Sequence, residues 1–289
     1  MKKHPRQVPG DIYKLLRTKK VSEDVNVDFI IEQFGEEVKA ALREAVTGEE
    51  QERKGRLRLS SVGRPDRLIW NDYHGERKEA IDGPTYVKFL YGHIVEAMLL
   101  ALTQLSGHTV TDQQKVCEVE GIKGHTDGKI DGVIMDVKSA SSFGFRKFET
   151  GTLHKDDPFG YVAQLRAYAH SEGAREFGWL AMEKNNGRLC WLGYDLDKLS
   201  PELEDTINFD IEQRCRDVKK LVAGPSPEPC YEPVPEGKSG NMKLQRGCSW
   251  CEYREHCWPE AKGYYYSNGI QYLTVIEKEP RVPPVAEGF

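Results

Sequence analysis

Two aspartates and a lysine stand close together in Gly124-His-Thr-Asp127-Gly-Lys-Ile-Asp131-Gly-Val-Ile-Met-Asp136-Val-Lys138. Asp131-Gly132 is the dipeptide of a type I′ hairpin turn, and strand-forming residues flank it on both sides. A turn there sets Ile130 against Val133 and brings Asp127 opposite Asp136. Carboxylates facing each other across a ladder repel, and a divalent cation between them removes the repulsion. Asp136 and Lys138 are two apart and share one face of their strand, while Val137 turns to the other. Two acids and a lysine thus converge on one patch, and hard oxygen donors of this kind suit Mg²⁺ or Mn²⁺. The competing reading is an exposed hairpin with ordinary surface charges, and features further along the chain weigh against it.

Several elements must position that patch. Pro84 can open a helix, because its missing N–H costs nothing at the first position. The helix runs through Tyr91-Gly-His93-Ile-Val-Glu96 to Leu102. It is nearly all apolar and so expected to be buried, which leaves Glu96 as an acid in need of a partner, a metal being one option. Pro158 precedes a second helix, on which Gln164 and Tyr168, four apart, project from one face. Residues 1 to about 50 read as short helices, with Val38, Leu42 and Ala45 at helical spacing. Strand signals fall at 109–120, 177–182 and 188–194, a helix at 201–222, and a Pro- and Gly-rich loop at 224–243. This order predicts a mixed α/β core, with helices flanking a central sheet.

Composition sets the outer limits. With 289 residues, 38% hydrophobic and 30% charged, the chain suits a soluble globular protein with a sizeable core. It has no run of roughly 18 apolar residues, so no membrane partner is expected. Met1-Lys-Lys-His-Pro lacks the apolar stretch of a signal peptide, so the expected location is the cytoplasm. Thiols stay reduced there, and the seven cysteines read as metal ligands or core residues rather than disulfides. The net charge of −5 exerts no global pull on nucleic acid. Basic residues do cluster locally, at Arg53, Lys54, Arg56, Arg58, Arg64 and Arg67, and again at Lys2, Lys3, Arg6, Lys14, Arg17, Lys19 and Lys20. Runs of this kind are commonly just solvated.

Taken together, Glu96, Asp127, Asp136-Val137-Lys138 and Gln164-x-x-x-Tyr168 resemble the PD-(D/E)xK nuclease superfamily. The branch they resemble is that of RecB-type exonucleases, including the iron–sulfur nucleases of CRISPR adaptation, AddB-type helicase–nucleases and phage relatives. The resemblance spans roughly residues 60 to 258. It implies a restriction-endonuclease-like core in which Glu96, Asp127, Asp136 and the Val137 carbonyl hold the metal. Lys138 would then position or deprotonate the attacking water, and Gln164 and Tyr168 would shape the site or hold DNA. His93 is expected to be structural, His125 to support Asp127, and Asp131 to serve the turn. The implied function is that of a divalent-metal-dependent DNA exonuclease in recombination, end processing or degradation. Its partners would be DNA and a recombination or replication protein, and its setting the host cytoplasm if phage-encoded. The alternatives are an endonuclease on the same core or a non-cleaving DNA-binding protein. The intact acids and Lys138 weigh against the last.

Cys248-Ser-Trp-Cys251-Glu-Tyr-Arg-Glu-His-Cys257 packs three thiols into a short stretch, a spacing that points to metal. It matches the C-terminal part of the iron–sulfur motif in the families just named. Those families place a first cysteine after an upstream Ser-rich segment, and Ser60 to Arg67 contains none. Cys230 is the nearest replacement, Cys117 and Cys215 are the next, and Cys190 reads as core. The metal is expected to be a 4Fe-4S cluster by the resemblance, with Zn²⁺ as the alternative. The expected organisation is a basic helical segment over 1–59, a nuclease core over 60–229, a cysteine metal-cluster segment over 230–262 and a tail over 263–289.

Overall fold

The computed structural model describes residues 3–48, 54–76 and 83–285; Lys2 and Arg53 of the basic clusters lie outside them. The helices are α1 (Val8–Thr18), α2 (Val27–Thr47), α3 (Asp66–His74), α4 (Gly83–Leu105), α5 (Ser142–Glu149), α6 (Tyr161–Ser171), α7 (Pro201–Ile207), α8 (Ile211–Ala223), α9 (Arg246–Ser249) and α10 (Arg254–Cys257). The strands are β1 (Val110–Thr111), β2 (Val116–Val119), β3 (Ile122–His125), β4 (Gly128–Ile130), β5 (Val133–Ala140), β6 (Glu176–Glu183), β7 (Leu189–Asp195), β8 (Val234–Pro235), β9 (Met242–Lys243), β10 (Lys262–Tyr266) and β11 (Gly269–Val275). The chain divides into two units. One comprises Met1–Glu52, Leu57–Gly63 and Gly83–Asp217, and the other Arg53–Arg56, Arg64–Asp82 and Val218–Phe289.

The first unit is built on a sheet of order β1-β4-β5-β6-β7. Strand β5 pairs antiparallel with β4 and parallel with β6, so the sheet is mixed. The parallel return from β5 to β6 needs a crossover, which α5 and α6 supply. Residues 133–137 of β5 are buried without a break, the pattern of a strand covered on both faces. Alternation divides those faces. Ile134, with Phe177, Trp179 and Ala181 of β6, joins the cluster that holds Phe145 and Phe148 of α5 and Leu165 and Tyr168 of α6. Met135 and Val137 join Val8 and Ile12 of α1 and Val95 and Leu99 of α4. The hairpin turn forms where the Asp-Gly pair stands, with φ of +52° at Asp131 and +87° at Gly132 and Ile130 paired to Val133. Asp131 is also clamped from outside, since its carboxylate lies 2.6 Å from Nδ1 of the buried His108 and accepts the Thr109 N–H at 3.0 Å.

Three expectations need correction. Helix α4 is buried only toward its C-terminal half; Tyr86, Val87, Phe89 and Tyr91 are exposed, because the sheet's cover begins near Val95. By length and composition α4 is apolar enough to cross a membrane, yet Val95, Leu99 and Leu100 are built into the core beside β5. Where short helices were expected, α2 runs unbroken for 21 residues; its buried residue is Ile30, and Leu42 is exposed. The helix expected over 201–222 is broken into α7 and α8, because the Asp210 side chain accepts the Gln213 N–H at 2.8 Å and restarts the helix.

The second unit contains a four-stranded antiparallel sheet of order β10-β11-β9-β8. Strand β11, and β10 from its second residue, fall within the stretch expected as a tail. Tyr253, buried between the cysteines, donates from its hydroxyl to Asp72 at 2.7 Å and ties the cysteine segment to α3.

Candidate active site

The site gathers on β5, on the face that α6 covers. Asp136 is 1% exposed, and its Oδ1 accepts from Gln164 Nε2 at 3.2 Å. Its Oδ2 forms an ion pair with Lys138 but accepts no well-directed hydrogen bond. Asp127 lies in the break between β3 and β4, where its Oδ2 accepts the Val137 N–H at 2.9 Å. The β4–β5 ladder ends at Gly128 opposite Met135, one pair short of the two acids. Asp127 is therefore held by a backbone donor of the strand that carries Asp136. Glu96 comes from α4, close enough for its carboxyl to feel the charges of Asp136 and Lys138.

Gln164 and Tyr168 share a helix face as expected, with Gln164 Nε2 3.4 Å from the Tyr168 hydroxyl. Tyr168 is only 1% exposed, so it does not reach out to a polymer. Gly124 makes room for it: a Cβ at that position would stand 2.9 Å from the Tyr168 ring. His93 and His125 are exposed, so His93 is no part of the core.

Electrostatics set this patch apart from an ordinary hairpin. Burial, and then the Asp136 charge, push the Glu96 carboxyl up to about 7. Burial, Asp136 and Glu96 together hold Asp127 well above the usual carboxylate range. Burial works against the Lys138 charge, but Asp136 and Asp127 outweigh it and raise its pKa. A carboxyl with a raised folded pKa keeps a proton that the unfolded chain releases, so its ionisation costs stability as pH climbs. For Glu96 the window runs from 4.5 to about 7. In EDTA, the wild-type protein should lose about 3 kcal/mol across that window relative to Glu96→Gln, which stays neutral throughout. Parallel stability–pH curves for the two proteins, from chemical denaturation, would refute the burial of this acid.

Some neighbours of the site carried no recognisable signal in the sequence. The Tyr161 ring centroid lies 4.7 Å from Lys138 Nζ, and Phe159 stacks on Tyr161 with centroids 5.3 Å apart. Half-buried Asp157 braces the start of α6, its carboxylate accepting the Val162 N–H at 2.8 Å. Asp157-Pro158 ahead of a helical pattern is a start signal that could have flagged that one role.

Among the described residues no three His, Cys, Asp or Glu side chains are grouped as a metal site. Cys230, Cys248, Cys251 and Cys257 all belong to the second unit. Burial raises the Cys248 thiol to about 11 and Cys251 to about 12, and the charges of Cys230 and Cys257 add to both shifts. Cys117 and Cys215 are buried in the apolar cluster of the first unit, with Cys190 packed against it. Arg64 pairs with Asp72 at 3.5 Å, and Arg67 donates to the Pro227 carbonyl and lies over the Trp70 ring. These two arginines serve the structure of their own unit.

No known family profile matches the chain, and no curated protein does. Among solved structures it is similar to LHK-Exo, an alkaline exonuclease from Laribacter hongkongensis, at 14% identity over 59% of this chain and 91% of that one, with a TM-score of 0.34. For the complex of LHK-Exo with dAMP the TM-score is 0.38. A phage-related exonuclease from Haemophilus somnus 129PT is similar at 16% identity, over 58% of this chain and 95% of that one, with a TM-score of 0.39.

Proposed function

We propose that the first unit is a divalent-metal-dependent DNA exonuclease that hydrolyses phosphodiester bonds in recombination, end processing or degradation of DNA. The observation that carries this reading is that Glu96 and Asp127 both feel the charges of Asp136 and its ion-pair partner Lys138, and both carboxyls are held above their ordinary pKa. Such crowding costs the fold free energy, and a cation relieves it. The donor set fits one: all hard oxygens, with a buried Asp136 Oδ2 that accepts no well-directed hydrogen bond. Asp127, Asp136, Glu96 and the Val137 carbonyl would hold Mg²⁺ or Mn²⁺. When bound, such an ion lowers the pKa of water and offsets charge on the phosphate. Gln164 fixes the Asp136 carboxylate, and the Val137 N–H fixes that of Asp127. Lys138, kept protonated by its acidic neighbours, orients the attacking water as a donor.

An exonuclease needs a free end. With Mg²⁺ or Mn²⁺, linear duplex or single-stranded DNA should be reduced to short products while a covalently closed circle survives. Rapid loss of supercoiled circles under the same conditions would decide for an endonuclease.

For the second unit we infer that Cys230, Cys248, Cys251 and Cys257 hold a structural metal, a 4Fe-4S cluster or Zn²⁺. The close spacing of Cys248, Cys251 and Cys257 along the chain, and the electrostatic influence of neighbouring thiols on Cys248 and Cys251, support this assignment.

A further inference from the structure

We infer that Phe159 and Tyr161 form a stacking platform for an unpaired nucleobase next to the scissile phosphate. The strand then reaches Lys138 with its end base out of the duplex. This rests on the nuclease reading above and deepens it by naming the form of substrate the site accepts.

A single exposed phenylalanine is ordinary. Three observations set this one apart. Phe159 is 59% exposed, so most of its ring is available to a flat partner. Its other face is already committed, stacked on Tyr161 with centroids 5.3 Å apart and planes 20° from parallel. Tyr161 in turn lies 4.7 Å from Lys138 Nζ, so the aromatic pair is continuous with the group facing the reacting phosphate.

The platform is prebuilt. Gly160, between the two aromatic residues, adopts φ of +72°, the left-handed turn that lets positions two apart bring their rings together. The loop is pinned at both ends of that turn, by the Gly160 N–H on the Asp157 carbonyl at 3.1 Å and the Val162 N–H on its carboxylate at 2.8 Å. Little ordering is left to be done on binding. Stacking on a plain phenyl ring also tolerates any base, since every base has a π-face. An exonuclease that degrades arbitrary sequence needs that tolerance.

The test uses the full-length protein with Mn²⁺ and end-labelled single-stranded oligonucleotides. Phe159→Ala should raise KM about tenfold with kcat little changed, the size expected for one stacked base, and Phe159→Trp should restore the wild-type KM. An abasic residue at the nucleotide flanking the scissile bond should raise the wild-type KM by a similar factor and leave Phe159→Ala indifferent, because both changes remove the same contact. A merely structural role for Phe159 would not produce that dependence on the base. If wild type and Phe159→Ala cut intact strands with equal KM, or wild type ignores the abasic position, the platform is wrong and the nuclease stands. If wild type cuts no oligonucleotide with Mg²⁺ or Mn²⁺, the nuclease reading fails and takes the platform with it.

Discussion

Asp136→Asn and Lys138→Ala proteins should each cut DNA about 10³-fold more slowly than wild type, or not measurably, while their far-UV spectra stay native. Asparagine keeps the shape of Asp136 and its contact with Gln164, so loss of activity there reports the missing charge. Lys138→Ala removes a cation that faces Asp127 and Glu96, so the carboxyl of Asp127 should be held still further above its ordinary range and the protein should depend more strongly on added Mn²⁺. The measurement is single-turnover cleavage of linear DNA with saturating metal. Wild-type rates in Asp136→Asn would end the assignment of this patch as the reacting centre.

The second large effect is expected from the cysteines. Protein purified without oxygen should carry iron and sulfide and be brown, or else carry one equivalent of zinc and be colourless; metal analysis separates the two. Cys251→Ser should lose metal and stability together, because affinity at a structural site is folding free energy. A loss of about 5 kcal/mol is expected, well below the full value of a four-thiolate site. In a chain of this size that lowers the melting temperature by roughly 10–20 °C. Cys230→Ser should behave in the same way; if it retains full loading, the fourth ligand is another group. A melting temperature indifferent to both substitutions, with no metal in the wild type, would leave the cysteines as ordinary buried thiols.

Much of the first unit follows from short-range rules. The Asp131-Gly132 turn, the pairing of Ile130 with Val133 and the opposite facing of Asp136 and Val137 depend only on turn geometry and the two-residue period of a strand. The same holds for Gln164 and Tyr168, which share a face through the helical period alone. A chemically sensible cluster could therefore be read before any packing was known.

Other features were illegible because they depend on packing between distant segments. Periodicity places Tyr168 on a face but does not say that β3, thinned at Gly124, closes over its ring. An apolar pattern marks α4 as a core helix, yet where the sheet's cover begins decides that Phe89 is exposed and Leu99 buried. The anchoring of Asp127 to the Val137 N–H replaces the ladder pair that the register alone would suggest, since the chain leaves the strand at that residue. Phe159 and Tyr161 look like any loop aromatics until β5 sets Lys138 beside them. By itself the sequence determined which residue types could bear chemistry and which local faces they share, because dihedral preferences act over a few residues. Only the tertiary structure decided how deeply each group is buried and which charges it meets, and desolvation and Coulomb interaction across the fold then determine what those groups can do.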